Sequence, residues 1–356
     1  MRFYILGFWV ILNITFTSCT NKKDKELQEL HAETDSIIFQ LNKSSSNSPG
    51  IYFRSYKNSL VLYNRNTNSL DFYSRSKGLE MRVNLPSDGP YRIQRFTGFD
   101  ILKERIFVAD QMSLLEMDFN GNVVNKYSKL QDSEGLAVTP NFAGVNKSIL
   151  IDGKLIFTGF NFLDLGRGSF DEVPLLYSLD LASGELTRYL NYPDDLPIVS
   201  SDYYFSQNTI VQNDRVLLNY APNQVYGYKE EWQEFEARSL SYTPVSEFRG
   251  DIKLNADSKE HLKTNSIYRA LISDPYRNCY YRIYSTPFDP NGINNRKITH
   301  LLVLNSNLEL EKEFILPKGL SHFGYFLNEV GLYFVNSNYN ELHEDEMKYT
   351  KVYPLD

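Results

Sequence analysis

The chain has 356 residues, about twice a usual domain length, yet still within the range of one large all-β unit. Its formal net charge is −7 and no basic run exceeds Lys22-Lys23, which argues against nucleic acid as a partner. The 26 Tyr and 23 Phe suit the half-buried surface of strands and favour β structure over helix.

The N-terminus reads MRFYILGFWVILNITFTSC, with Arg2 as a positive start and a mostly apolar stretch from Ile5 to Phe16. That stretch is shorter than the roughly 20 residues a membrane span needs. It has the size of a secretory signal, placed at residues 1–18. Small residues Thr17 and Ser18 precede Cys19, and FTSC at 16–19 resembles the lipobox of bacterial lipoproteins. In that class the chain is cut before the cysteine, which then carries lipid, so Cys19 is the expected membrane anchor. The competing reading is an ordinary cleaved signal with Cys19 an incidental neighbour. Residues 19–34, charged and poor in apolar side chains, read as a flexible or briefly helical tether. The only other cysteine is Cys279, so acylation of Cys19 leaves no internal disulfide. Cys279 lies in the strand-like RNCYYRIY, where a buried thiol is expected rather than a nucleophile.

From residue 35 onward a unit recurs. KNSLVLYN, KERIFVAD, DGKLIFTG, NDRVLLNY, RNCYYRIY and NEVGLYFV each pair a polar turn with a dense apolar run. Taking Leu60, Ile106, Leu155, Val216, Cys279 and Leu332 as reference points, the intervals are 46, 49, 61, 63 and 53 residues. That spacing fits propeller blades of four strands, with the dense runs as covered inner strands. Hairpin-like segments follow, as in YSLDLASGELTRYL, where Leu186 and Leu190 alternate with polar positions as on a half-exposed outer strand. The fourth copy, QVYGYKEEWQEFEA (224–237), is weaker and has room for a short helix. After Leu332 only 24 residues remain, too few for a full blade. The segment DSIIFQLN (35–42) is therefore expected to supply the missing outer strand and lock the ring. The expected fold is an all-β, six-bladed β-propeller over 35–356; a β-sandwich is the competing architecture.

These features together resemble a group of six-bladed, TolB-like propeller lipoproteins of the Bacteroidetes, classed as a domain of unknown function. The resemblance rests on FTSC, the six repeats, YYRIY (280–284) and the terminal KYTKVYPLD, and spans nearly all of the mature chain. It implies fold and an envelope location, and it brings no catalytic residues. In such cells an acidic run after the lipid cysteine directs surface export. The run here, NKKDKE, is mixed in sign and leaves the membrane face open.

No chemical motif stands out. The histidines His31, His261, His300, His322 and His343 lack zinc-motif spacing. His322, just before the sixth dense run, is the one best placed to reach a central channel, with a solvated loop position as the alternative. DPNGIN (289–294) lacks the carboxylates of a calcium loop and reads as a turn. There is no GxSxG elbow or Gly-rich phosphate loop, and no metal or cofactor is expected. The acids Asp194-Asp195 and Glu344-Asp345-Glu346 read as solvated faces.

A Tyr- and Arg-bearing set remains near the expected strand entrances: Tyr91, Arg92, Tyr203, Tyr204, Tyr268, Arg269, Tyr276, Arg277 and Arg282. Such residues dominate binding hot spots, and Arg offers a fork to carboxylates of acidic glycans or peptide termini. Inter-blade packing is the alternative for each, with Arg282 satisfying buried carbonyls. The expected function is a non-catalytic module that binds a glycan, a peptide or an envelope protein. The alternative is a hydrolase or lyase acting on an envelope or dietary glycan at the channel mouth.

Overall fold

Tight polar turns divide the chain into hairpins. Lys103-Glu104 and Asp152-Gly153 carry positive φ at both positions, the geometry whose twist matches that of the strands it joins. The computed structural model describes residues 27–30, 35–47, 52–160, 173–194, 196, 208–212, 214–246, 248, 255–288 and 297–353. Over these the chain forms six sheets whose four-stranded blades are antiparallel, making an all-β, six-bladed propeller.

Blade one comprises Phe53–Tyr56, Ser59–Asn64, Ser69–Ser74 and Gly78–Asn84. Blade two comprises Phe96–Leu102, Arg105–Asp110, Ser113–Met117 and Val123–Tyr127. In blade three the first strand is split into Thr139–Pro140 and Ile149–Ile151, both paired with Lys154–Phe160, before Pro174–Asp180 and Leu186–Asn191. Blade four comprises Asn208–Val211, Val216–Asn219, Val225–Tyr228 and Trp232–Phe235. Blade five comprises Ile267–Asp274, Cys279–Ser285, Thr299–Leu304 and Leu310–Ile315. Blade six takes Leu320–Leu327, Leu332–Asn336 and Glu346–Tyr353 from the end of the chain and Ser36–Gln40 from its beginning.

That last strand closes the ring as the residue count required. Ser36–Gln40 runs antiparallel to Glu346–Tyr353, with Ile37 opposite Tyr349 and Phe39 opposite Met347. The segment that follows is clasped to blade one. Asp71, fully buried, accepts both Nε and Nη2 of Arg82 (2.7 and 2.8 Å), together with Asn64, Ser69 and Ser45. Burial pushes the Asp71 carboxyl up, but this set of donors outweighs it and holds the group below the usual carboxylate range.

The core is a ring of inter-blade layers. In VLLN, Val216 and Leu218 pack with blade three while Leu217 packs with blade five. In SLVLYN, Leu60 and Leu62 join blades five and six while Val61 joins blade two. Each such strand is covered on both faces, so successive residues are all apolar instead of alternating.

Three expectations need correction or refinement. The six dense runs are the second strands of their blades, one place out from the channel. The first strands line the channel with one free edge and are polar, short or irregular, so they do not read as strands in sequence. Residues 224–237 form the hairpin Val225–Tyr228 and Trp232–Phe235 and contain no helix; Tyr226 and Tyr228 alternate with buried Val225 and Gly227. A helix lies instead at Asn255–Thr264, between blades four and five. Finally, the stretch read as a tether holds a strand, Leu27–Glu29, paired in parallel with Leu310–Ile315 of blade five, and Leu30 is buried beside it.

Strand direction alternates within each blade, so the connections sort onto two faces. Outer-to-next-blade and second-to-third connections share one end, which carries long loops such as 128–138 and 236–266. First-to-second and third-to-outer turns share the other end and run two to five residues. These ends are the long-loop face and the short-turn face.

Candidate functional site at the channel mouth

Six first strands surround the axis, and a polar side chain staples each blade interface, the one between blades five and six lying in the short turns. Leu327 N–H donates to Ser55 Oγ (3.2 Å) between blades six and one, and Arg54 Nε donates to Asp100 Oδ1 (2.9 Å) between one and two. Asp100 Oδ2 accepts Ser148 N–H (3.2 Å), and Asn146 Oδ1 accepts Thr209 N–H (3.0 Å). Asn208 clamps both backbone groups of Leu271 (2.8 and 2.9 Å), and Arg277 donates to Glu329 O (2.6 Å) between blades five and six. Asn, Asp and Arg at these positions add to sparse backbone bonding between blades at the axis, such as Lys147 N–H to Thr209 O (3.1 Å).

Three first strands break their own ladders near the long-loop end. Thr97 is skipped between Phe96 and Gly98 in blade two, and Arg269 between Tyr268 and Ala270 in blade five. In blade six Ser321 pairs with Val335 and Phe326 with Tyr333, leaving His322 to Tyr325 opposite one residue. Gly98 (φ +148°) permits the first break, because a Cβ there would stand 2.9 Å from Phe142 O. Bulges re-aim side chains, and here each carries a polar one. Thr97 Oγ1 and His322 Nε2 are enclosed without a hydrogen-bond partner.

The structure separates the sequence-predicted set. Tyr91 and Arg92 lie exposed in the connection from blade one to blade two, on the long-loop face. Arg269 and His322 sit in the channel-lining strands toward that same face; His322 is buried, not a solvated loop residue. Tyr276 and Arg277 are in a short turn at the opposite end, where Arg277 is held by Asp274 Oδ2 (2.7 Å). Tyr268 and Arg282 are fully buried and engaged inside the protein. All five Arg282 N–H groups are used: Nε on Asn219 Oδ1 (2.8 Å), Nη1 on Asn223 O and Ala237 O, Nη2 on Tyr220 O and Gln224 O. Its guanidinium carbon lies 3.5 Å from the centroid of the Tyr268 ring. Burial pushes Arg282 down to about 10, so it remains charged at neutral pH. Tyr203, Tyr204 and Cys19 lie outside the described residues, as does DPNGIN.

Other groups escaped the sequence reading. Phe323, 44% exposed, stacks on His322 with centroids 4.1 Å apart; the Gly324 that follows it inside a strand is the sequence signal of a bulge. Lys297 donates to Leu262 O (2.5 Å) and Asn265 O at the end of the helix, and burial together with Arg269 lowers it to about 7. His300 meets Glu313 at 2.7 Å, and that carboxylate also accepts Ser239 Oγ and Leu240 N–H (both 2.6 Å). The serine bonds the acid and not the imidazole, so this trio pins a loop and lacks the order of a nucleophilic triad. Cys279 is buried and its thiol is pushed up by that burial, as a core cysteine should be. Among the described residues, no three His, Cys, Asp or Glu side chains gather as a metal-binding group.

Exposed apolar side chains also favour one face. Tyr91, Met112, Leu240, Ile298 and Leu342 stand in long-loop-face connections and Phe323 in the blade-six bulge, against Tyr276 and Val330 in the short turns.

Fold and channel together define an all-β six-bladed propeller whose ring is closed by its N-terminal strand. The chain belongs to the family described as a domain of unknown function, DUF4221, whose model matches residues 23–314. A solved member of that family from Bacteroides vulgatus is similar at 18% identity and TM-score 0.72, covering 91% of this chain and 97% of that one. A solved protein from Bacteroides fragilis whose name suggests export is similar at 12% identity and TM-score 0.56, covering 92% and 99%. No curated protein matches the sequence.

Proposed function

We propose that this chain is an exported envelope lipoprotein, anchored through lipid on Cys19, whose propeller binds a ligand or envelope protein without transforming it. Residues 1–18 act as the signal, and the ring of blades begins at 35 after a segment whose Leu27–Glu29 pairs onto the edge of blade five. The observation that carries the reading is the asymmetry of the two faces: the bulged polar residues lie toward the long-loop face, where six of the twelve large exposed apolar side chains among the described residues stand, against two in the short turns. Exposed apolar side chains set among polar groups suit recognition. Export is supported by the N-terminal sequence and by the name of the B. fragilis relative. The acids nearest the axis serve as staples: Asp100 is bound by Arg54 and Ser148.

The test is thermal unfolding of the mature lipidated chain against neutral glycan fragments, cell-wall peptides, divalent metals and a chelator. A ligand at 100 times its Kd adds about 2.7 kcal/mol, a rise of a few degrees for a protein of this size. A rise with one chemical class and no product formed is the expected result. Turnover of the compound that binds would overturn the non-catalytic reading.

A further inference from the structure

The long-loop face carries two patches of opposite charge, one on each side of blade one. The first is a basic corner on blade two, where three connections are bonded together. Asp110 accepts the N–H groups of Gln94 (3.1 Å) and Arg95 (2.6 Å), and Gln111 N–H donates to Arg95 O (3.2 Å). Leu130 N–H donates to Met112 O (2.8 Å), and Lys126 Nζ to Pro90 O (2.7 Å). These bonds gather Tyr91 (45% exposed) and Met112 (42%) with the exposed cations Arg92, Arg95 and Lys129, none of them ion-paired among the described residues. Acids of the same connections are mostly committed, Asp110 to that backbone and Asp132 and Glu134 to Arg188 (2.8 and 2.7 Å), which leaves Asp88. In a chain of net charge −7 this corner runs against the overall sign.

The second patch is the tip of the blade-six connection, residues 337–345. Leu342 is 80% exposed, more than any other large apolar side chain among the described residues. Around it Glu341, Glu344 and Asp345 are exposed and form no ion pair, whereas Glu346 is held by Tyr339 Oη and Gln40 Nε2. The tip is braced. Asn47 Nδ2 donates to Asn340 O and His343 O, Lys348 N–H donates to Asn340 Oδ1 (2.8 Å), and the Tyr339 and His343 rings stack at 3.9 Å. An apolar side chain held out in water on a braced loop loses little further freedom when it binds.

We propose that the long-loop face pairs with a second copy of this chain, the acidic Leu342 tip of each seating on the basic Tyr91 and Met112 corner of the other. The ring order carries the geometry: blades two and six flank blade one, so a two-fold axis through blade one exchanges them. One pairing therefore makes the same contact twice, the self-complementary arrangement of most dimers. Opposite charges fix the orientation, and Leu342 against Tyr91 and Met112 excludes water at the centre of each contact. The inference rests on the reading of the long-loop face as a recognition surface and names its partner. Pairing face to face points the two short-turn faces apart, so lipid on Cys19 would place the two copies on facing membrane surfaces.

The test is sedimentation of the full lipidated chain in density-matched detergent, over concentrations that bracket Kd values from about 1 µM to 1 mM. The parent should pair at about 0.1 M salt and at least about tenfold more weakly at about 1 M, where the screening length falls from about 10 to 3 Å. Arg92→Glu with Arg95→Glu should weaken pairing by about tenfold or more, and so should Glu344→Lys with Asp345→Lys. An equimolar mixture of these two variants should pair as tightly as the parent. Both contacts between unlike chains are then complementary, while both contacts between like chains repel. All four side chains are exposed, and thermal unfolding checks that each variant is folded. A parent that stays monomeric throughout, a folded variant that pairs as the parent does, or a mixture that pairs no better than its components each overturns the proposal. If the parent stays monomeric and a ligand still raises its unfolding temperature, only this inference falls. If pairing follows the charge swap and the chain also turns over a compound, the pair stands and the non-catalytic reading falls.

Discussion

Arg282 shows how a residue type that marks binding surfaces can be wholly committed to the interior. Its five N–H groups meet five acceptors drawn from Asn219, Tyr220, Asn223, Gln224 and Ala237, all in blade four or just beyond it, so one side chain welds blades four and five. No carboxylate appears among those partners, and backbone dipoles with the Tyr268 ring carry the charge. Arg282→Met strands these oxygens in the interior, and stability in urea should fall by about 3 kcal/mol or more. Arg282→Lys keeps the charge but has three donors and no fork, and should recover only part of that loss. A loss below 1 kcal/mol for Met would mean that water replaces the donors. Sequence reading recognised Tyr and Arg as the informative types here, but not where they point. The acceptors of Arg282 lie some 45 to 63 positions away, and nothing in a local spacing reveals them. Arg269, of the same type and thirteen residues earlier, sits at a ladder break on a channel edge. Burial separates the two, and burial is decided by strands that belong to other blades.

At the level of strands the covered runs were legible and their place in the blade was not. A second strand such as Leu332–Asn336 has neighbours on both edges and blades against both faces, so it is written in apolar residues. A first strand has a free edge on the channel, takes its inter-blade bonds from Asn, Asp and Ser, and looks like loop. The helix Asn255–Thr264 (NADSKEHLKT) was missed for a related reason: it is polar almost throughout and lacks an apolar stripe of helical period. The closing strand was legible by subtraction, since the sixth blade lacked a strand and one N-terminal strand lacked a partner. Its weight rests on Ile37 and Phe39, which point inward; Phe39 meets Phe326 and Tyr349 edge-on at 5.7 and 5.6 Å. Phe39→Ala should cost about 3–5 kcal/mol and leave Glu346–Tyr353 as an unpaired edge open to aggregation. Ile38, between them, faces outward, and Ile38→Ser should stay within about 0.5 kcal/mol. Urea unfolding with light scattering checks the pair, and equal losses would mean that the strand is not held by its inward face.

For the whole molecule, the direction of the first described strand bears on how an anchored propeller stands on a membrane. Leu27 lies beside Glu313 and Glu29 beside Ile315, so Leu27–Glu29 climbs blade five toward the long-loop face. The N-terminal end of this strand therefore points toward the short-turn side of the rim. Cys19 lies eight residues upstream, within at most about 28 Å of Leu27. If Cys19 bears the lipid, the short-turn face should sit nearer the bilayer and the long-loop face, with its exposed apolar side chains, should look away from it. Blade six offers a ruler, because Val330 and Leu342 are both exposed and flank Leu332–Asn336 at its opposite ends. That strand alone spans about 16 Å. A fluorophore on Val330→Cys should be quenched several-fold more strongly by head-group quenchers in vesicles than one on Leu342→Cys; Cys279 is buried and should not compete for the label. The opposite order would reverse the orientation and bring the proposed binding face against lipid, where only a membrane component could reach it. Adding Cys19→Ala should abolish quenching at both positions. If quenching survives, the lipid is not the anchor and the direction of Leu27–Glu29 says nothing about the membrane.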